Sequence, residues 1–417
     1  MADFSESERP IVRIITTENN WIEGEAIRQL ENTAELPGMI MAVGLPELHP
    51  GKGIPVGAVF ASVGVFYPYL VGNDVGCGMA LWKTDLKRRK IKLDRWVERL
   101  DLESELAPEV IASRLEEEGI SPGPDDAGLG SIGGGNHFAE LQAIEKVEDA
   151  ELFENLELST DELVLLVHSG SRGVGEALLR SHVDRHKAEG LPDTPGDAAR
   201  YLAGQVRSGA GDTLEALSKI QAAHYRAISQ PDASEDAAQY LAGQDHALGW
   251  ARVNRELIAK RFLDAVGGEG RKILDLCHNS IARGTVGGRP CWLHRKGAVP
   301  SERPAVIAGS RGALSYLVEP AGDQEKCLYS ITHGAGRKWK RGETKSRLRS
   351  HFKAEGLTRT RLGGRVICKD RNLLYEEAPQ AYKNIETVVK ALLDEGLIRV
   401  IATLRPVITY KKREHMK

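Results

Sequence analysis

Five short segments set ligand-type side chains beside glycine: LPELHPGKG (45–53), VGNDVGCGM (71–79), GGGNHFAEL (133–141), LVHSGSRGVG (166–175) and THGAGRKWK (332–340). A sixth, CHNS (277–280), carries cysteine and histidine without glycine. Asp74 and Cys77 stand three apart in a Gly-rich turn, so a hard carboxylate and a soft thiolate can face one cavity. That mixture suits Zn, Mn, Fe or Co better than Mg alone. Taken by itself, the pair also reads as a turn aspartate beside a buried structural cysteine. His137, His168 and His278 each follow a strand or turn, and with Asp74 and Cys77 they make a ligand set drawn from distant loops. No single spacing among them is as specific as a zinc-finger CxxC pair. His182, His186, His224 and His246 lie in helical sequence without glycine neighbours and read as structural.

HSGSRGVG (168–175) has the form of an anion-binding turn opening a helix, with Ser169, Ser171 and backbone N–H groups for a phosphate and Arg172 as a clamp. GSRG (309–312) repeats that chemistry, and each segment also reads as an ordinary Gly turn. Arg337–Lys353 holds eight Lys/Arg against one Glu, with Trp339 and Phe352 interleaved. Either a solvated helix face or a track for a phosphate backbone has this composition. KRRKIK (87–92) is a weaker version of the same pattern.

The elements that must position these residues are legible in outline. Ile11–Thr16, Met39–Leu45, Ala58–Leu70 and Leu163–Val167 read as strands. Asp94–Leu115 reads as two short helices, the second opened by Pro108. Residues 176–266 turn to Ala, Leu, Gln, Arg and Glu and read as a helical arm. The arm contains a near-repeat, DAARYLAGQ at 197–205 and DAAQYLAGQ at 236–244. A single pair is too few for a solenoid. Strands return after Ile273, with one helix at Asn384–Glu395. Sheet segments flank the helical one instead of alternating with it, which predicts an α+β fold: a β-rich body spanning 1–417 as one domain with the arm, 176–266, inserted.

Composition narrows the function. Hydrophobic residues make up 41% and charged residues 28% of 417, an ordinary globular balance. A net charge of −3 excludes a globally basic coat, so any polyanion is held by a local patch. Five scattered cysteines argue against a disulfide framework and for a reducing cytosol. The polar start lacks a signal sequence, and the apolar run Val56–Val71 is too short and too broken to span a bilayer. The expectation is a cytoplasmic protein without a membrane partner.

PELHPGKG, VGNDVGCGM, GGGNHFAE, HSGSRGVG, CHN, RKGAV (295–299), AGSRGALSYLV, THGAGR, APQAYKNI (378–385) and TLRPVITYKK (403–412) together resemble the RtcB family of RNA ligases, in family order along nearly the whole chain. The resemblance implies an enzyme that uses GTP and two Mn²⁺ ions. It would join RNA 3′-phosphate or 2′,3′-cyclic phosphate ends to 5′-hydroxyl ends through a covalent histidine–GMP intermediate. It implies metal ligation by Asp74, Cys77, His137, His168 and His278, the thiolate bridging both ions, and guanylation of His333. Asn136, Phe138, Glu140, Ser310, Ala335, Gly336, Tyr382 and Lys411 fall on the family's guanylate contacts. Arg172 falls on a basic residue near the RNA end, and Arg337 and Arg341 open the basic tract as RNA-binding residues. Glu47 stands where the family usually has a catalytic Asp, Asn73 replaces an apolar residue, and CHN has one His where many members have two. These departures point to a divergent subgroup, one suited to RNA repair as well as or instead of tRNA splicing. A phosphodiesterase that kept the metals and lost ligation is the competing enzyme, and a non-catalytic RNA-binding protein is the competing binder. Any activating partner protein is left unnamed by the resemblance.

Overall fold

A computed structural model describes residues 9–102, 104–185, 228–229 and 235–412. Two large sheets form the body. A five-stranded sheet runs in the order Ile11–Ile14, Met39–His49, Val56–Ser62, Arg289–Lys296 and Asn279–Val286. An eight-stranded sheet runs Ala305–Ile307, Ser315–Pro320, Ile398–Tyr410, Phe138–Val147, Glu162–Ser169, Gly78–Lys87 and Gly270–Cys277, with Arg365–Ile367 also paired to Ile398–Tyr410. Within these two sheets pairing is antiparallel except for Ile11–Ile14 on Met39–His49 and Arg365–Ile367 on Ile398–Tyr410. The α+β expectation therefore holds.

Helices close the faces of the sheets by apolar stripes. In Ile385–Asp394, Ile385, Val388, Val389 and Leu392 fall at i, i+3, i+4 and i+7 and bury against Val43, Val59 and Val318. Asn384 caps that helix, its side chain accepting from the Glu386 N–H at 3.0 Å. Glu235–Val266 lies on the larger sheet, where Ile258 and Phe262 pack with Trp82 and Leu165. Burying each such side chain fully is worth about 1.5–3 kcal/mol.

Some predicted boundaries move for identifiable reasons. The apolar run expected as one long strand from Ala58 becomes Val56–Ser62, Val65–Phe66 and a 3₁₀ turn at Pro68–Leu70. Pro68 lacks the N–H a ladder needs. The strand expected to stop before His168 continues through Ser169. Pro108 does open the second of two helices, Leu93–Arg99 and Pro108–Glu117. The arm is represented by Gly173–Arg185 and Glu235–Val266 at its ends. The second repeat copy lies inside Glu235–Val266, while the first, 197–205, lies outside the described residues. Among the described residues, no helix is long and apolar enough to cross a membrane.

Candidate active site

Register in the eight-stranded sheet gathers the predicted ligands at one end. Gly78 pairs with both Ser169 and Cys277, Phe138 pairs with His168, and Ala139 pairs with Tyr410. Cys77, His137, His278 and Lys411 are each the next residue beyond one of these strand ends. His278 also stands where the chain passes from the larger sheet to the smaller, since Cys277 ends one strand and Asn279 begins another. The site therefore sits between the two sheets.

Cys77 is at the centre. Its Sγ lies 3.2 Å from His137 Nε2 and 3.3 Å from His168 Nε2. Asp74 Oδ2 lies 3.0 Å from the same His137 nitrogen. The His168 ring is 5.0 Å from that of His278, whose backbone N–H donates to the Cys77 carbonyl at 2.8 Å. Two three-ligand groups result, Asp74–Cys77–His137 and Cys77–His168–His278, sharing the sulfur. Asp74 Oδ1 and His278 Nδ1 are buried without a hydrogen-bond partner, a costly state that a cation relieves. Burial, then the neighbouring imidazoles, hold His168 and His278 well below the usual histidine range, so both rings are neutral and offer lone pairs. Burial, then Asp74, pushes the Cys77 thiol up, so it needs a bound cation to become a thiolate. A soft sulfur, three imidazoles and a carboxylate fit transition-metal divalent ions.

His333 stands beside this set. Its ring is 4.3 Å from that of His278 and 6.1 Å from that of His168. Nδ1 lies 2.8 Å from the Gly297 carbonyl oxygen and 3.0 Å from Glu47 Oε1. Glu47 is fully buried and also accepts from the backbone N–H groups of His333 at 3.1 Å and Gly334 at 2.9 Å. It thus grips both the ring and the turn that carries it. Burial opposes charge on His333, but the Glu47 carboxylate outweighs it and raises the imidazole. Gly336, at φ 68°, lets this turn pass against Glu47: a Cβ there would meet the Glu47 carbonyl at 2.4 Å.

A cavity of 240 Å³ opens from His333 and His168. All eight residues expected to contact guanylate line it: Asn136, Phe138, Glu140, Ser310, Ala335, Gly336, Tyr382 and Lys411. Burial raises Glu140 to about 7 and lowers Lys411 to about 8. Lys411 donates to the His137 carbonyl at 3.0 Å, which ties the cavity to the loop that carries His137.

A family profile described as tRNA-splicing ligase RtcB matches residues 29–119 and 120–412. The chain belongs to the RtcB family. It is 46% identical to RNA-splicing ligase RtcB2 of Escherichia coli over 95% of this chain and 94% of that protein. RNA-splicing ligase RtcB of Mycobacterium tuberculosis is 27% identical over 91% of this chain and 98% of that protein. RNA-splicing ligase RtcB homolog 1 of Entamoeba dispar is 26% identical over 92% and 81%.

Several placements in this RtcB-family site depart from the sequence reading. Ser169 and Ser171 are not free for a phosphate. Both are fully buried, Ser169 donating to the Ile132 carbonyl at 2.7 Å and Ser171 to that of Val75. Arg172 does face the site, its Nη1 lying 3.4 Å from His137 Nδ1. Arg337 and Arg341 line the cavity wall instead of an open track. The reason is Glu377, which sequence reasoning missed. Its buried carboxylate takes Arg337 at 3.1 Å and Arg341 at 3.3 Å, and also the Tyr382 hydroxyl. Burial opposes the charge, but Lys411 and the two arginines hold Glu377 down at about 2. Its position just before APQAY, close after a cationic tract, was the available signal. Arg311 is buried with Nη2 donating to the Leu374 carbonyl at 2.6 Å, while Nη1 is unpartnered. That nitrogen suits an anionic group entering the cavity.

Proposed function

We propose that this chain joins RNA 3′-phosphate or 2′,3′-cyclic phosphate ends to 5′-hydroxyl ends, using GTP and two Mn²⁺ ions, through guanylated His333. The hydrogen-bonding of His333 carries the reading. A carbonyl oxygen only accepts, so the 2.8 Å contact with Gly297 assigns the proton of the neutral ring to Nδ1, and in that form the lone pair is on Nε2. Nε2 attacks the α-phosphorus of GTP: an N–P bond forms, the P–O bond to the β-phosphate breaks, and pyrophosphate leaves with the electron pair. Arg311 and Ser310 meet phosphate oxygens, and the remaining cavity residues hold the guanylate. A 3′-phosphate oxygen of the RNA then attacks the same phosphorus and displaces Nε2. The 5′-hydroxyl attacks the activated 3′-phosphate and releases GMP. Cyclic ends are opened by water first. Asp74, Cys77, His137, His168 and His278 would hold the metal ions, which supply charge neutralisation and Lewis acidity at the phosphates. Glu47 acts by positioning His333, and Arg172 meets the RNA end. A site built where both sheets meet supports one catalytic domain over 1–417, with 176–266 a part of it.

Incubation with α-labelled GTP and Mn²⁺, then denaturation, is expected to leave an acid-labile, alkali-stable label on the protein and none on His333→Ala. Unlabelled wild-type protein that still opens cyclic phosphates would replace ligation with phosphodiester hydrolysis. RNA retention with neither activity would make the chain a binding protein.

A further inference from the structure

Four of the eight cations in the basic tract Arg337–Lys353 are engaged by acids. Arg337 and Arg341 pair with Glu377, Lys340 with Glu25, and Arg347 with Glu343. In the shorter KRRKIK segment Lys87 pairs with Glu162 at 2.5 Å and Arg88 with Glu145 at 3.9 Å, but the cations that follow them differ. Arg89, Lys90, Lys92, Arg95 and Arg99 are all exposed, and none forms an ion pair with another described residue. All five line one shallow cleft. Five unpaired cations in a row, in a chain of net charge −3, mark a surface that attracts a polyanion.

The Leu93–Arg99 helix has three distinct faces. Leu93, Trp96, Val97 and Leu100 turn inward, onto the cluster that holds Ile408 and Tyr410. Asp94 and Asp101 turn towards the neighbouring segment, pairing with Arg365 at 3.4 Å and Lys369 at 3.9 Å. Lys92, Arg95 and Arg99, at i, i+3 and i+7, form the remaining stripe. Because the acids are engaged sideways, the cations are left to solvent. Among acidic neighbours, Asp85 borders the cleft, its carboxylate accepting from the Glu269 N–H, and Glu98 is exposed on the same helix.

The direction of this ridge connects it to the active site. The Gly78–Lys87 strand starts beside Cys77 and carries the chain about 30 Å away at the usual rise per residue. Arg89 and Lys90 sit at that far end. The Leu93–Arg99 helix then returns along the sheet, and the Leu102 N–H donates to the Tyr410 hydroxyl at 3.1 Å. Tyr410 is followed by Lys411 in the nucleotide cavity. The cations thus begin at the end of the sheet opposite the active site and follow the helix about 10 Å of the way back.

We infer that the Arg89–Arg99 ridge binds the phosphate backbone of the substrate RNA's body, away from its reactive end. This deepens the ligase reading and rests on it for the identity of the polyanion. A ridge of this length engages only an RNA long enough to reach it. Short ends fit the cavity without touching it.

The test compares Arg89→Gln/Lys90→Gln/Arg95→Gln with an equal-charge control, Lys146→Gln/Lys326→Gln/Lys390→Gln. Two substrates are used, RNAs of a few nucleotides and stem-loops that span the ridge. The ridge variant is expected to raise KM for stem-loop ligation about 10- to 100-fold and to reduce the salt slope of stem-loop binding by about two. Short-RNA ligation and His333 labelling should stay as in wild type. An unchanged stem-loop KM, an equal loss on short RNAs, or an equal effect of the control would overturn the proposal. Stem-loop binding read by fluorescence anisotropy does not depend on ligation. A wild-type protein that binds through the ridge but joins nothing would therefore sink the ligase reading and leave the ridge standing.

Discussion

Glu140 shows how one side chain is held against its own stability. Its carboxylate is buried beside Thr409 and Gln142, and Gln142 Nε2 donates to it at 2.6 Å. These donors and Lys411 favour the charge, but burial dominates and raises the group from 4.5 to about 7. The unfolded chain releases this proton near pH 4.5, whereas the folded one keeps it to about 7. Stability therefore falls as pH rises between those values and stays reduced above them. Glu140→Gln is expected to raise the thermal midpoint at pH 8, by up to roughly 3 kcal/mol of stability, and to leave it unchanged at pH 4. In the ligase reading the same substitution removes an acceptor from the nucleotide cavity, so His333 labelling at fixed GTP should fall. A midpoint that drops equally at both pH values would show that Glu140 serves packing alone. Glu47 was visible in the sequence as a carboxylate of unusual length within PELH. Its grip on the His333 ring was not, because 286 residues separate the partners and no local pattern encodes that pairing.

The long helix Glu235–Val266 does more than cover a sheet. Arg255 is buried, pairs with Asp275 at 2.6 Å, and donates to the carbonyls of Gly76 and Ser169 at 3.0 Å each. Gly76 directly precedes Cys77 in its turn, and Ser169 ends the adjacent strand. Asn254 extends the brace, donating to Ser169 Oγ at 3.1 Å and to the Gly170 carbonyl at 3.2 Å. The helical composition of the arm was readable from its Ala, Leu and Gln content, but this role was not. Arg255 sits among many arginines, and only the fold shows that its guanidinium reaches inward. Arg255→Met leaves Asp275 without its buried partner, which typically costs 3–5 kcal/mol. It also frees two carbonyls beside the turn that carries Cys77. The variant is expected to melt lower and to bind Mn²⁺ more weakly. Arg255→Lys should recover part of the melting point through Asp275 but less of the metal affinity, because one ammonium does not span both carbonyls. Equal recovery of both by lysine would reduce the brace to a simple ion pair.

At the scale of the molecule, the ordered motifs announced the site and the topology explains their order. The ligand-bearing motifs are strand ends or the turns beyond them, whereas APQAYKNI joins two helices, and antiparallel pairing brings the ends near 78, 138, 169, 277 and 410 to one edge. Composition and periodicity gave the α+β class, but not which strands pair, because register follows from long-range packing rather than local pattern. The body is therefore folded around a cluster that is unsatisfied on its own. Buried Asp74 Oδ1 and His278 Nδ1 lack partners, and the Cys77 thiol is held protonated among neutral imidazoles. A ligand that binds only the folded state stabilises it by about 2.7 kcal/mol at 100 times its dissociation constant. Mn²⁺ is accordingly expected to raise the melting temperature, and a chelator to reverse the rise. In Cys77→Ala the shared ligand is gone from both three-residue groups, so the Mn²⁺ increment should vanish together with His333 labelling, while the metal-free melting point changes little. If Cys77→Ala retained the full increment and wild-type Mn²⁺ stoichiometry, the sulfur would not be the common ligand, and the two groups that meet on it would have to be read as separate, unrelated clusters.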